Sequence, residues 1–255
     1  MLLIDKLSYQ SKLRYVNASE KLVYALLTLA LCVLSRSVKV AVLVFAVNGV
    51  LTVGKGEIPL FRYIKLLMIP LAFLAAGTAA VMINVSRTPM DAFALPAGEW
   101  YITGSCEGIR RGLRLCVTAL SAVSSLYFLS LNTVMTDILC ACRKLHFPSL
   151  LTELMLLIYR FIFVLFETAS SITVSQQSRL GNRSIKTRIR SFGKLGSSLF
   201  ILALKRSGAL YDAMESRCYD GSIRVLSREQ PAKAGEIAVI ALYGAVLVLV
   251  WLLCG

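Results

Sequence analysis

The chain has 255 residues, of which 57% are hydrophobic and only 16% charged, with a mean hydropathy of +0.71. Soluble domains carry roughly 45–50% apolar and about 25% charged residues, so a wholly water-soluble globule is excluded. The 28 Lys+Arg against 14 Asp+Glu leave a formal net charge of +14, which points to a membrane surface or a nucleic acid.

Asp5, Lys6, Lys12 and Arg14 precede the first apolar run and no small-residue cleavage site follows it, so no cleaved leader is expected. Apolar runs recur at 22–34, 38–53, 66–83, 113–131 and 237–254. The last three approach the roughly 20 residues that carry a helix across a bilayer. The first two are short, with Arg36 and Lys39 between them. Gly49-Val-Leu-Thr-Val-Gly54-Lys55 matches the opening of a phosphate-binding loop, but Gly56 stands where a Ser or Thr must hold Mg²⁺, and no strand precedes it. It reads as the polar end of a membrane run.

Residues 85–111 balance three charges of each sign and are rich in turn formers and aromatics (Pro89, Pro96, Gly98, Trp100, Tyr101, Gly104). They read as a loop, or a loop with a short interfacial helix, because Trp and Tyr favour the headgroup level. Residues 132–233 are different, with 15 Lys/Arg against 7 Asp/Glu. Basic loops stay cytoplasmic. A single crossing by 22–53 would put this arm outside, whereas two short spans joined by a tight turn put it inside. The second arrangement is expected: five spans, N-terminus in, C-terminus out. This topology accounts for the net charge, and no nucleic-acid motif accompanies it.

Within the arm, Thr136-Asp137 suits the start of a short helix to about Lys144, and Pro148 breaks the chain. Ser149 is placed to cap a helix from 150 to about 179, some 45 Å long at 1.5 Å per residue. Glu153, Arg160 and Glu167 recur every seven residues on one stripe of it, which favours a helix at the membrane–cytosol boundary over a sixth span. Gly181 and Asn182 are expected to end it, with Gly supplying the left-handed cap. A basic connector (Arg183, Lys186, Arg188, Arg190, Lys194) leads to a second amphipathic stretch, with Phe192, Leu195, Leu199, Leu202, Leu210 and Ala213 near helical spacing. It runs to Arg217, Gly221 can stop it, and Pro231 precedes the last span.

No chemistry-bearing cluster emerges. Seven cysteines form no Cys-x-x-Cys pair, and His146 stands two residues before Pro148 in a helix break. Asp91 and Glu99 are expected outside, Asp212 and Glu215 inside, so no carboxylate pair converges. No metal site, cofactor or disulfide is expected. What remains is a pair of repeats, Ser178-Arg179 and Ser216-Arg217, each at the end of a long amphipathic stretch. The residues alone leave two readings open. An Arg fork at a helix end can dock into a partner's groove, or it can simply answer the helix dipole.

The segments Ile158-Tyr-Arg160-Phe161, Ser175-Gln-Gln-Ser178-Arg179-Leu180-Gly181 and Tyr211-Asp-Ala213-Met-Glu-Ser216-Arg217-Cys218-Tyr-Asp-Gly221 resemble the transmembrane T component of energy-coupling factor transporters, nearest to the CbiQ type of cobalt uptake. The likeness covers nearly the whole chain. Leu180 and Cys218 stand where the family's two Ala/Ser-Arg-Gly motifs carry Gly. Gly181, one residue on, can cover the first departure, and Cys218 would crowd a docking groove or alter its affinity.

The resemblance implies an all-α membrane protein of about five transmembrane helices with a cytoplasmic module of long amphipathic coupling helices, divided at 1–131, 132–233 and 234–255. It implies a non-catalytic subunit of the cell's inner (cytoplasmic) membrane. Two ATP-binding ATPase subunits and a substrate-binding membrane subunit of the CbiM type would be its partners, with a small accessory membrane subunit as an optional member. Arg179 and Arg217 would dock the ATPases. Ser178 and Ser216 would be helix-end contacts beside Leu180, Gly181 and Cys218, while Ala213 and Gly221 would permit close packing. Nickel or a vitamin as cargo, a membrane enzyme, and an anchor without transport are the alternatives.

Overall fold

The structure, a computed structural model, describes residues 3–86, 93–97, 100–104, 106–145, 147–221, 223, 231 and 233–254. His146 lies outside the described residues, as do Pro89, Asp91, Gly98 and Glu99 of the sequence reading. The contacts divide the chain into two compact units, one of residues 142–227 and the other of 2–141 with 228–255.

The larger unit opens with α1 (Leu3–Gln10) and a 3₁₀ turn (Lys12–Tyr15). The apolar stretch that could have been one span is two helices, α2 (Ala18–Ser35) and α3 (Val38–Val50). Arg36 breaks them apart in the left-handed conformation, φ 48°. Such a break is what the two-span reading requires. Residues Leu51–Lys55 continue α3 as a π-helical turn, so the glycine-lysine segment is helix rather than a phosphate loop. After α4 (Leu60–Met82) the chain forms a small antiparallel sheet, β1 (Ile83–Ser86), β2 (Phe93–Ala97) and β3 (Trp100–Gly104), ordered β1-β3-β2. An interfacial helix was an option here. Instead the chain pairs as strands, and Pro96 lies on an outer strand where a missing donor is tolerated.

Helix α5 (Cys106–Asn132) is the hub and packs on α1, α2, α3 and α4. Its small polar face explains why. Ser121 donates to the Ala41 carbonyl at 2.7 Å. Tyr24 donates to Asn48, and Asn48 in turn donates to Ser125, both at 2.9 Å. The Tyr63 hydroxyl meets Ser124 at 2.8 Å. In lipid there is little hydrophobic drive between helices, so small residues that allow close approach and polar pairs across the seam do that work. Near one end of the hub the Lys21 ammonium, only 4% exposed, donates to the carbonyls of Leu13 (3.0 Å) and Asn132 (2.9 Å). Short α6 (Met135–Lys144) follows, and α9 (Ala234–Cys254) packs on α2 and α3.

The smaller unit is built on two long helices, α7 (Ser149–Ser178) and α8 (Ile185–Glu215). Ser149 is the first helical residue rather than the cap, because the Pro148 carbonyl already accepts the first bonds, from Leu151 and Thr152. The basic connector is not a connector. Ser184 caps the Thr187 amide at 3.2 Å, so the stretch from Ile185 onward already forms the first turns of α8.

Among the described residues, six helices are long and apolar enough to cross a membrane: Ala18–Ser35, Val38–Lys55, Leu60–Ala80, Glu107–Asn132, Ser149–Ser178 and Ala234–Leu253. The added member relative to the five expected spans is α7. The chain is an all-α multi-pass membrane protein carrying one small sheet.

Candidate functional site

Helices α7 and α8 run antiparallel, and hydrogen bonds at both ends say so. At one end Gln176 of α7 donates to the Ser191 carbonyl of α8 (3.0 Å), and the Ser191 hydroxyl donates to the Gly181 carbonyl (3.1 Å). At the other end the Tyr219 hydroxyl, just past α8, donates to Glu153 near the start of α7 (2.9 Å). The two Ser-Arg pairs therefore stand at opposite ends of the hairpin, separated by about the 45 Å length of a 30-residue helix. The structure does not gather the nominated residues into one pocket. It makes two sites from them.

Those two sites share one backbone geometry. Leu180 (φ 59°) and Cys218 (φ 58°) are left-handed. At the first, the Leu180 amide donates to Gln177 (3.0 Å) and the Gly181 amide to Gln176 (2.8 Å). At the second, the Cys218 amide donates to Glu215 (3.0 Å) and the Tyr219 amide to Met214 (3.1 Å). Each is a Schellman cap, with the left-handed residue just beyond the helix end and crossed bonds closing the last carbonyls. Ser178 is the last residue of α7 and Ser216 the first after α8; in both caps Arg follows the Ser and the third residue carries the positive φ. A glycine is favoured at that third position because an L side chain costs about 1–2 kcal/mol there.

This corrects one expectation. Gly181 is not the left-handed residue. It follows Leu180, and its lack of a side chain matters because a Cβ would lie 2.7 Å from the Gln176 carbonyl and 3.0 Å from the Ser191 hydroxyl. Cys218 is exposed and holds the left-handed conformation of its cap, which glycine adopts more easily. At Gly221 an added Cβ would meet nothing within 4 Å, and the φ of 86° is what favours glycine there. Exposed Ala213 lends its carbonyl to the Ser216 hydroxyl at 3.0 Å, as Val174 does to Ser178 at 3.1 Å. Both serines therefore bond back into their own helices.

Arg179 and Arg217 are exposed, and neither side chain has a hydrogen bond or ion pair among the described residues. The charge around them differs. From 179 to 194 the chain carries six basic residues and no acid, whereas Arg217 has Asp212, Glu215 and Asp220 as chain neighbours. Sequence reasoning missed the pairing of Tyr219 with Glu153, which lies across 66 positions and leaves no spacing signal. That bond, with smaller help from desolvation, raises the Tyr219 phenol above its ordinary value of 10.0, so its proton stays through the neutral range. Among the described residues no group of three or more His, Cys, Asp or Glu is placed to hold a metal ion.

Apolar helices long enough to span a membrane, together with a helical hairpin that has an exposed arginine at each end, define a multi-pass membrane protein. The family model described as cobalt transport protein, CbiQ, matches residues 10–228, and the chain belongs to this family, the CbiQ-type transmembrane components of energy-coupling factor transporters. It is 32% identical over 255 residues to an uncharacterised protein of Methanocaldococcus jannaschii, covering 97% of this chain and 91% of that one. It is 27% identical over 223 residues to the cobalt transport protein CbiQ of Salmonella typhimurium, covering 87% and 99%. It is 31% identical over 183 residues to the energy-coupling factor transporter transmembrane protein EcfT of Staphylococcus aureus, covering 65% and 68%.

Proposed function

We propose that this chain is the coupling component of a cobalt importer. Two ATPase subunits dock at its arginine caps, one through Ser178-Arg179-Leu180-Gly181 and one through Ser216-Arg217-Cys218, and their closure moves α7 and α8. The membrane helices hold a substrate-binding membrane subunit of the CbiM type, which is the part that takes the ion. ATP is hydrolysed by the partners, not by this chain. The module at 132–233 and the N-terminus face the cytoplasm, and the membrane is the cell's cytoplasmic (inner) membrane.

The observation that carries this reading is the matched pair of caps at opposite ends of one hairpin. A separation of about 45 Å suits two partner subunits side by side better than one. An unpaired guanidinium on a closed cap offers a fixed five-donor fork to carbonyls or carboxylates of a partner. The same geometry argues against α7 as a sixth span. If α7 crossed the bilayer, its two ends would emerge on opposite sides, and two cytoplasmic partners could not reach both caps. Helix α8, tied along α7, carries eight charged residues from Lys186 to Glu215, and each costs about 2.5–3.5 kcal/mol at a bilayer centre. The hairpin therefore lies at the cytoplasmic boundary.

The test is co-purification of the ATPase subunits with the chain, together with cobalt uptake in cells and competition by nickel. Arg179→Ala and Arg217→Ala should each weaken capture and uptake, and the double variant should lose both. Full assembly and uptake in the double variant, or impermeant labelling of cysteines at 179 and 217 from outside the cell, refutes the reading. Uptake of nickel in preference to cobalt would correct the cargo and leave the docking scheme standing.

A further inference from the structure

We propose that the Tyr219–Glu153 hydrogen bond is a latch that makes α7 and α8 move as one lever when force arrives at the Arg217 cap; this deepens the docking reading and rests on it. Tyr219 has two attachments. Its backbone amide closes the Arg217 cap onto Met214 (3.1 Å), and its hydroxyl reaches the other helix at Glu153 (2.9 Å). A displacement of that cap is thereby delivered to the first turns of α7.

Three observations give this single bond weight. Helix α8 has no buried residue, so the apolar seam between the two helices is thin and cannot set their relative position by packing alone. Glu153 is 5% exposed, and its second carboxyl oxygen, Oε1, has no partner among the described residues, so the tyrosine hydroxyl is the one hydrogen bond found for a buried acid. Such a group is costly to strand, which holds the pair closed. Finally, the opposite cap is tied in the same sense but by other means, through the Ser191 hydroxyl on the Gly181 carbonyl (3.1 Å) and Gln176 on the Ser191 carbonyl (3.0 Å). In each case the residue that follows the left-handed position, Gly181 or Tyr219, is bonded to the partner helix. Each docking end is thus fastened to both helices, and the Arg217 end depends on one removable hydroxyl. Tyr219 is a positioning residue: it holds the lever and touches no partner in this scheme.

The experiment uses the whole transporter, purified with its ATPase and substrate-binding subunits and reconstituted in liposomes, with cobalt uptake and ATP hydrolysis measured in the same vesicles. Tyr219→Phe keeps the ring and removes the hydroxyl. It should leave assembly and basal hydrolysis unchanged while cobalt imported per ATP falls about three- to tenfold, the range set by one hydrogen bond. Glu153→Ala should match it, and the double variant should be no worse than either, because the two side chains act as one unit. Glu153→Gln, whose amide oxygen still accepts, should retain most of the coupling. A wild-type uptake-to-hydrolysis ratio in Tyr219→Phe overturns the latch. So does additive loss in the double variant, a Gln variant as poor as the Ala variant, or failure of Tyr219→Phe to assemble. Arg217→Ala separates the two ideas: if it assembles and transports normally, the docking reading falls; if it loses the ATPase while Tyr219→Phe couples normally, only the latch falls.

Discussion

Position 218 gives the sharpest check on the cap geometry. Cys218 holds φ 58°, and its amide and that of Tyr219 close the last turn of α8 on Glu215 and Met214. An L residue in this conformation costs about 1–2 kcal/mol. Glycine escapes that cost but brings about 0.5–1 kcal/mol of extra chain entropy to be lost on folding. Cys218→Gly should therefore stabilise the cap by about 0.5–1 kcal/mol, while a β-branched side chain, which the left-handed region tolerates worst, should weaken it by about 1–2 kcal/mol. Hydrogen exchange reads local opening directly. At tenfold per 1.4 kcal/mol, amides in the segment 214–220 should exchange roughly two- to fivefold more slowly in Cys218→Gly and about five- to thirtyfold faster in Cys218→Val. Cys218→Ala keeps the conformational cost and should stay near the wild-type rate. Faster exchange in the glycine variant, or no change in the valine variant, would show that residue 218 does not carry the positive φ, and the equivalence of the two caps would fail with it.

Gly181→Ala should also be harmful, because the new Cβ meets the Gln176 carbonyl at 2.7 Å; overpacking of this kind costs about 1–3 kcal/mol. The readout is limited proteolysis after Arg179 and Arg183, which should be faster than in wild type, and unchanged cleavage would argue against the close contact. In the larger unit, Lys21→Met should strand the Asn132 carbonyl, and take one of two bonds from the Leu13 carbonyl, which keeps the Val16 amide, at a cost of about 1–3 kcal/mol. Heat-induced loss of the monodisperse protein in detergent should occur at lower temperature, and an unshifted midpoint would mean that these carbonyls find other partners.

The sequence by itself determined the class of protein, because hydrophobicity over about 20 residues and a basic bias between spans are properties of composition and order. It also placed the ends of α7 to within a residue. Pro148 at one end and the Gly181-Asn182 pair at the other were enough for that. It misassigned the left-handed residue to Gly181, since the side chain best suited to positive φ stands one position away from where the crossed bonds require it. It read 183–194 as connector because it weighed the charges and not the Ser184 cap. It did not find the sheet at 83–104, where pairing between strands outweighs local turn signals. Only the tertiary structure decided that the hairpin is antiparallel, that the two motifs are therefore far apart, and that Tyr219 meets Glu153. Those facts depend on which residues distant in sequence come within hydrogen-bonding reach. Helical periodicity says which face a residue shares along one helix, but not what that face will meet.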